Sequence, residues 1–121
     1  MPKVLLIEDD PFLIDIYTTK LEESGFVVNI ATGGEEGFKK MKEEKPDLLL
    51  LDIVLPHING WEILEKIKKE KELKGLKIII LSNLYQKDEV EKGLELGATK
   101  YLIKAHYTPS QVVKEIKKVL K

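Results

Sequence analysis

The sequence predicts a doubly wound α/β fold, a five-stranded parallel sheet with five helices, from three observations. Five short apolar runs alternate with five segments of helical period, nothing repeats internally, and three of the runs are apolar almost throughout. Unbroken apolarity marks parallel strands covered on both faces, because βαβ crossovers lay helices on each side of the sheet. The right-handed rule for such crossovers then gives an open sandwich.

The elements follow in order. "KVLLI" (3–7) is the first strand, and Asp10 followed by Pro11 reads as the N-cap and first position of the first helix. Gly25 ends that helix after "LEES". "FVVNIA" (26–31) is the second strand, and "TGGE" (32–35) fits a capping box opening the second helix. "DLLLLD" (47–52) is the third strand; Trp61, after Asn59-Gly60, falls in the first turn of the third helix, where packing or a partner contact is expected. "KIKKEKELK" (66–74) is the wet face of that helix and its exit turn. "LKIIILS" (76–82) and "KYLIK" (100–104) are the last strands. "TPSQ" (108–111) is a second capping box with Pro in its favoured place, and the last helix aligns Val112, Val113, Ile116, Val119 and Leu120 on one face.

A chain of 121 residues with 34% charged and 43% apolar residues fits one self-folding domain over 1–121. Its 20 basic residues are all Lys, balanced by 21 acids to a net charge of -1. A nucleic-acid surface calls for a clustered basic patch with Arg forks, so no direct nucleic-acid binding is expected. The absence of Cys excludes disulfides, thiolate metal sites and a Cys nucleophile. No apolar stretch approaches a membrane span, and "MPKVLLIEDD" is too short and too soon acidic for a signal peptide, so a cytoplasmic location is expected.

In doubly wound sheets, ligands bind outside the carboxyl ends of the strands. Glu8, Asp9 and Asp10 follow the first strand, Asp52 ends the third, Ser82 the fourth and Lys104 the fifth. Acids from adjacent strand ends raise each other's pKa values unless a hard cation lies between them. Mg²⁺ suits such a set, since it takes oxygen ligands and is commonly held by one or two carboxylates beside a phosphate. Lys104 adds a positive charge and Ser82 a hydroxyl, which together suit the equatorial oxygens of a transferring phosphoryl group. The attacking group would be an Asp oxygen. Taken singly, Asp9 and Asp10 read as a solvated turn, Asp52 as a turn former before "LPHING", and Ser82 and Lys104 as ordinary strand-end residues. Only their convergence on one edge asks for chemistry.

The motifs "EDDP", "LLLLDIVLPHINGWE", "IIILSN" and "GATKYLIKA", in this order, resemble the receiver domain of bacterial and archaeal two-component response regulators, of which the single-domain chemotaxis regulator is one. The resemblance spans the whole chain and implies a flavodoxin-like sheet with strand order 2-1-3-4-5. It also implies Mg²⁺ as cofactor, with Asp52 as phospho-acceptor, Asp9 as direct metal ligand, Glu8 acting through water and Val54 lending its backbone carbonyl. Ser82 resembles the switch hydroxyl, Tyr101 the aromatic that turns inward with it, and Lys104 the phosphoryl-binding lysine; Asp10 is left to cap its helix. By the same resemblance the chain is a signalling domain rather than an enzyme, assisting its own phosphorylation and dephosphorylation. Its partners would be a sensor histidine kinase or phosphotransfer protein and a downstream protein, met through the fourth helix, fifth strand and fifth helix (86–121), with a homodimer left open. The chain ends with its fifth helix, so no output domain is expected within it; it is either a stand-alone regulator or part of a longer protein.

Four residues depart from the family pattern. Ala105 follows Lys104, where a proline commonly sets a cis bond. Because a non-proline cis bond costs about 2.5 to 4 kcal/mol, the isomer is open. Asn83 replaces a small residue and would either narrow access to the phosphoryl group or hydrogen-bond there. Val54 and Leu84 stand where fast family members orient the hydrolytic water, which predicts a long-lived phosphoryl group.

Other readings fit less well. An FMN-binding flavodoxin would need a hydroxyl- and glycine-rich first loop, and "EDDP" would repel the phosphate. A haloacid-dehalogenase-type phosphatase would carry a second Asp at position 54, where the chain has Val. An unphosphorylated docking module on the same fold is the nearest alternative. His57 and His106 are expected in solvated loops, and Gly33-Gly34 is too short for a phosphate loop.

Overall fold

A computed structural model describes residues 1–55, 59–84 and 86–121. The chain runs β1 (Lys3–Ile7), α1 (Pro11–Glu23), β2 (Val27–Ala31), α2 (Gly34–Glu44), β3 (Leu48–Leu51), α3 (Gly60–Lys69), β4 (Lys77–Ser82), α4 (Lys87–Glu95), β5 (Lys100–Ile103) and α5 (Pro109–Leu120). Short 3₁₀ turns at Lys71–Leu73 and Lys104–His106 follow α3 and β5. All strand pairs are parallel, in the order β2-β1-β3-β4-β5. The order turns back at β1, so the crevice above the β1 and β3 ends is the place where this topology binds.

The apolar strands divide their side chains between two cores. Leu5, Ile7, Leu49, Leu51, Ile78 and Ile80 point to one face, against Met41 of α2 and Ile63, Leu64 and Ile67 of α3. Val4, Leu6, Leu48, Leu50, Ile79 and Leu81 point to the other, against Tyr17 and Leu21 of α1 and Val112, Val113 and Ile116 of α5. All four leucines of β3 are buried, each contributing about 1.5–3 kcal/mol relative to exposure. The central strand is therefore anchored on both faces.

Local signals explain most boundaries. Asp10 caps α1 by accepting from the Phe12 N–H at 2.9 Å, and Gly25 beyond its end has φ +93°, which favours glycine. Thr108 and Gln111 make the reciprocal box that opens α5. The box read at 32–35 is displaced by one residue. Gly33 is the N-cap of α2 and has no side chain to offer, while Glu36, not Glu35, accepts from the Thr32 N–H at 2.8 Å. Gly37 packs directly on Ile7, and this close approach sets the phase of α2. α4 opens on Gln86, whose N–H donates to Glu89 at 3.1 Å.

β3 stops one residue before Asp52 and β5 one before Lys104, which opens the 3₁₀ turn. The reading of His57 lies outside the described residues. No helix among the described residues is long and apolar enough to cross a membrane.

Candidate functional site

At the carboxyl edge of the sheet, Glu8 continues the line of β1, its N–H donating to the Ala31 carbonyl at 3.0 Å. The side chain is buried, and its Oε2 accepts from the N–H groups of Asp9 and Asp10 at 3.1 and 3.3 Å. Asp52 is 7% exposed beside it, with its N–H on the Ile7 carbonyl and its Oδ1 accepting from the Val54 N–H at 3.2 Å. Lys104 reaches in from the end of β5. Its Nζ donates to Glu8 Oε1 at 2.8 Å and to Asp52 Oδ2 at 3.0 Å.

The exposed carboxylate of Asp9 completes the cluster. Oxygens of Glu8, Asp9 and Asp52 all lie within 4.8 Å of one another. Three carboxylates at this spacing, supplying oxygen donors only, fit a hard divalent cation of the Mg²⁺ type. Asp10 takes no part, since its oxygen is engaged in capping α1.

The charges perturb one another. Burial pushes the Glu8 carboxyl up, and the neighbouring Asp52 charge adds to this against the opposing pull of Lys104. For Lys104, burial acts downward but is outweighed by the hydrogen bonds and charges of Glu8 and Asp52, so its pKa is raised. Lys104 is thus a cation held by two acids.

A second group of contacts lies beside this one. Ser82, fully buried at the end of β4, accepts from the Leu84 N–H at 3.3 Å. The hydroxyl of Tyr101 donates to the Leu84 carbonyl at 2.6 Å, and burial raises its pKa. Leu84 is therefore held on both sides by the two residues assigned to the switch. Asn83 turns to the loop after β5, where its Oδ1 accepts from the Ala105 N–H at 3.1 Å. This bond goes to the loop backbone and is not one of the two roles toward the phosphoryl group that the sequence left open for Asn83. The Lys104–Ala105 peptide is trans.

The structure thus joins Glu8, Asp9, Asp52 and Lys104 directly and links Ser82 to Tyr101 through Leu84. Val54 exposes 60% of its surface and Leu84 is half-buried; neither has a polar side chain. His106 is exposed, and Trp61 packs at the edge of the core with Lys92 Nζ 4.8 Å above its ring. Two features escape the sequence reading. Glu8 pairs directly with Lys104, and the buried Tyr17 of α1 lies within the field of Lys104, Glu8 and Asp52, with burial raising its pKa.

A five-stranded parallel sheet in the order 2-1-3-4-5, with Glu8, Asp9 and Asp52 gathered at its carboxyl edge and bridged there by Lys104, defines a flavodoxin-like α/β domain with an acidic, lysine-paired edge. Residues 4–117 match the response regulator receiver domain, and the chain belongs to that family. It is 36% identical over 98% of its length to the alkaline phosphatase synthesis transcriptional regulatory protein PhoP of Bacillus subtilis, and covers 48% of it. Over 84% of its length it is 39% identical to the transcriptional regulatory protein CusR of Escherichia coli K12, covering 44% of it. The chain spans about half the length of these relatives.

Among solved structures, a CheY-like response regulator receiver domain protein from Methanospirillum hungatei superposes with a TM-score of 0.91 at 32% identity, over 99% of this chain and 94% of that one. The BeF3-activated receiver domain of Klebsiella pneumoniae RstA gives 0.89 at 27%, over 98% of each. The flavodoxin-like order 2-1-3-4-5 expected from the sequence is the one observed. The chain is a receiver domain of two-component signalling.

Proposed function

We propose that Asp52 is the phospho-acceptor of this receiver domain and that Glu8, Asp9, Ser82 and Lys104 load and read it. The observation that carries this assignment is the half-buried Lys104 ammonium shared by Asp52 and Glu8 at 3.0 and 2.8 Å. An Asp52 oxygen attacks the phosphorus of a kinase phosphohistidine or small acyl phosphate. The bond from phosphorus to the donor nitrogen or oxygen breaks, and an acyl phosphate forms. Mg²⁺, held by Asp9, Asp52 and the Val54 carbonyl with Glu8 acting through water, would supply charge neutralisation for the phosphoryl oxygens.

Lys104 then exchanges the Asp52 carboxylate for a phosphoryl oxygen, and the Ser82 hydroxyl donates to another. Drawing Ser82 inward removes the acceptor of the Leu84 N–H, and Tyr101, whose hydroxyl holds the Leu84 carbonyl, turns inward with it. Their joint movement shifts the start of α4 and reshapes the face of α4, β5 and α5. The change is a population shift driven by contacts made in only one state. The domain works in the cytoplasm on a sensor kinase or phosphotransfer protein and a downstream protein. It turns over no substrate beyond its own acyl phosphate.

The test is to phosphorylate with acetyl phosphate and Mg²⁺, reduce the acyl phosphate with borohydride to homoserine, and map the peptide masses. Homoserine at residue 52 supports the assignment; modification of another acid, with residue 52 intact, overturns it.

A further inference from the structure

Asn83 stands between Ser82 and Leu84, yet its own bond goes elsewhere. Its Oδ1 accepts the Ala105 N–H at 3.1 Å, so one side chain ties the loop after β4 to the turn that begins with Lys104. That turn, Lys104–His106, has no side-chain cap. Ala105, unlike a proline, brings an N–H that the Asn83 side chain can bind. The Lys104 stem is long and rotamer-rich, so the place of its ammonium depends on how firmly the backbone beneath it is held.

We propose that Asn83 is a positioning residue for Lys104, fixing the phosphoryl-binding ammonium to the same loop that carries the switch hydroxyl. The inference rests on the role proposed for Lys104. With the tie in place, Ser82 and Lys104 approach a phosphoryl group as one unit. Without it, Lys104 spends less time over Asp52 and Glu8, and the productive arrangement is less populated.

The test compares Asn83→Ala and Asn83→Asp with the native chain, in native and Lys104→Ala backgrounds. Asn83 is exposed, and thermal unfolding verifies that each variant folds. Loss of one hydrogen bond should speed Ala105 amide exchange about fivefold in Asn83→Ala and slow phosphorylation by acetyl phosphate about fivefold. Asn83→Asp keeps the acceptor and should restore Ala105 protection. In the Lys104→Ala background, Asn83→Ala should slow phosphorylation no further, because its effect passes through Lys104. Unchanged Ala105 exchange, or equal slowing in both backgrounds, overturns the proposal. A native chain that gains no phosphoryl group fails the function proposed above instead; faster Ala105 exchange in Asn83→Ala would still support the tie.

Discussion

Lys104 carries the electrostatics of the site. Its side chain stands 13% exposed between two acids whose side chains are more deeply buried, at 2% and 9%. Removing one partner from such a cluster leaves the others uncompensated, which typically costs 3–5 kcal/mol in a dry interior. Because Lys104 touches solvent, Lys104→Ala should cost about 3 kcal/mol in urea unfolding without metal. The Glu8 carboxyl, freed from the downward pull of Lys104, should titrate higher still by carboxyl-carbon NMR. Unchanged stability together with an unmoved Glu8 titration would remove Lys104 from this role. At Val54 and Leu84, apolar side chains offer a hydrolytic water no partner. The Val54→Asn, Leu84→Gln double variant should lose its phosphoryl group about tenfold faster, about the effect of one well-placed hydrogen bond. Equal decay of native and variant would contradict the expected long lifetime. The acids themselves were legible in the sequence because each follows an apolar run. The Glu8–Lys104 contact, 96 residues apart, and the Asn83–Ala105 bond, 22 apart, were not, since side-chain pairing across strand ends depends on loop paths that periodicity does not encode.

At the scale of elements, α3 begins in close contact with the segment that follows β3 and holds Asp52. The Gly60 N–H donates to the Ile53 carbonyl at 2.8 Å, and a Cβ at residue 60 would meet the Ile53 Cα at 2.7 Å. Gly60→Ala should cost about 1–3 kcal/mol by thermal unfolding, with weaker Mg²⁺ binding as the Asp52 backbone shifts. A neutral substitution would show that α3 does not position the β3 end. Between β5 and α5, Glu115 is shared by Lys100 and Lys118, and these bonds hold its pKa below the ordinary 4.5. A depressed carboxyl stabilises the fold above pH 4.5, and this contribution is lost as the pH falls through the folded-state pKa. Glu115→Gln should therefore cost about 0.5 kcal/mol at neutral pH, as solvent screens the half-exposed Lys100 and the exposed Lys118, and nothing once Glu115 is protonated. A cost that persists in acid would point to packing instead. Strand positions were read to within a residue because burial on both faces of β1, β3 and β4 demands apolar runs. Helix starts were read less well: the cap at Thr32 moved because Gly37 must meet Ile7, and Gln86 is not a residue type that announces an N-cap.

For the whole molecule, the β2-β1-β3-β4-β5 order brings four chain segments to one edge, while α4, β5 and α5 form a separate face joined to it through Ser82, Leu84 and Tyr101. Chemistry at the edge should thus be read out as changed amide exchange within 86–121, with little change in α1 and α2. The gathering of strand ends at one edge was legible from the alternation of strands and helices and the second face from the family resemblance, whereas the linkage through the Leu84 backbone required coordinates. Transfer of a phosphoryl group to Asp52, as proposed above, depends on a divalent cation. The most direct measurement is intact mass after acetyl phosphate, with and without Mg²⁺, for the native chain and Asp52→Ala. A single phosphoryl adduct that needs Mg²⁺ and is absent from the variant is the predicted result; no adduct on the native chain, with beryllofluoride also failing to bind, would contradict it and leave a docking module on this fold.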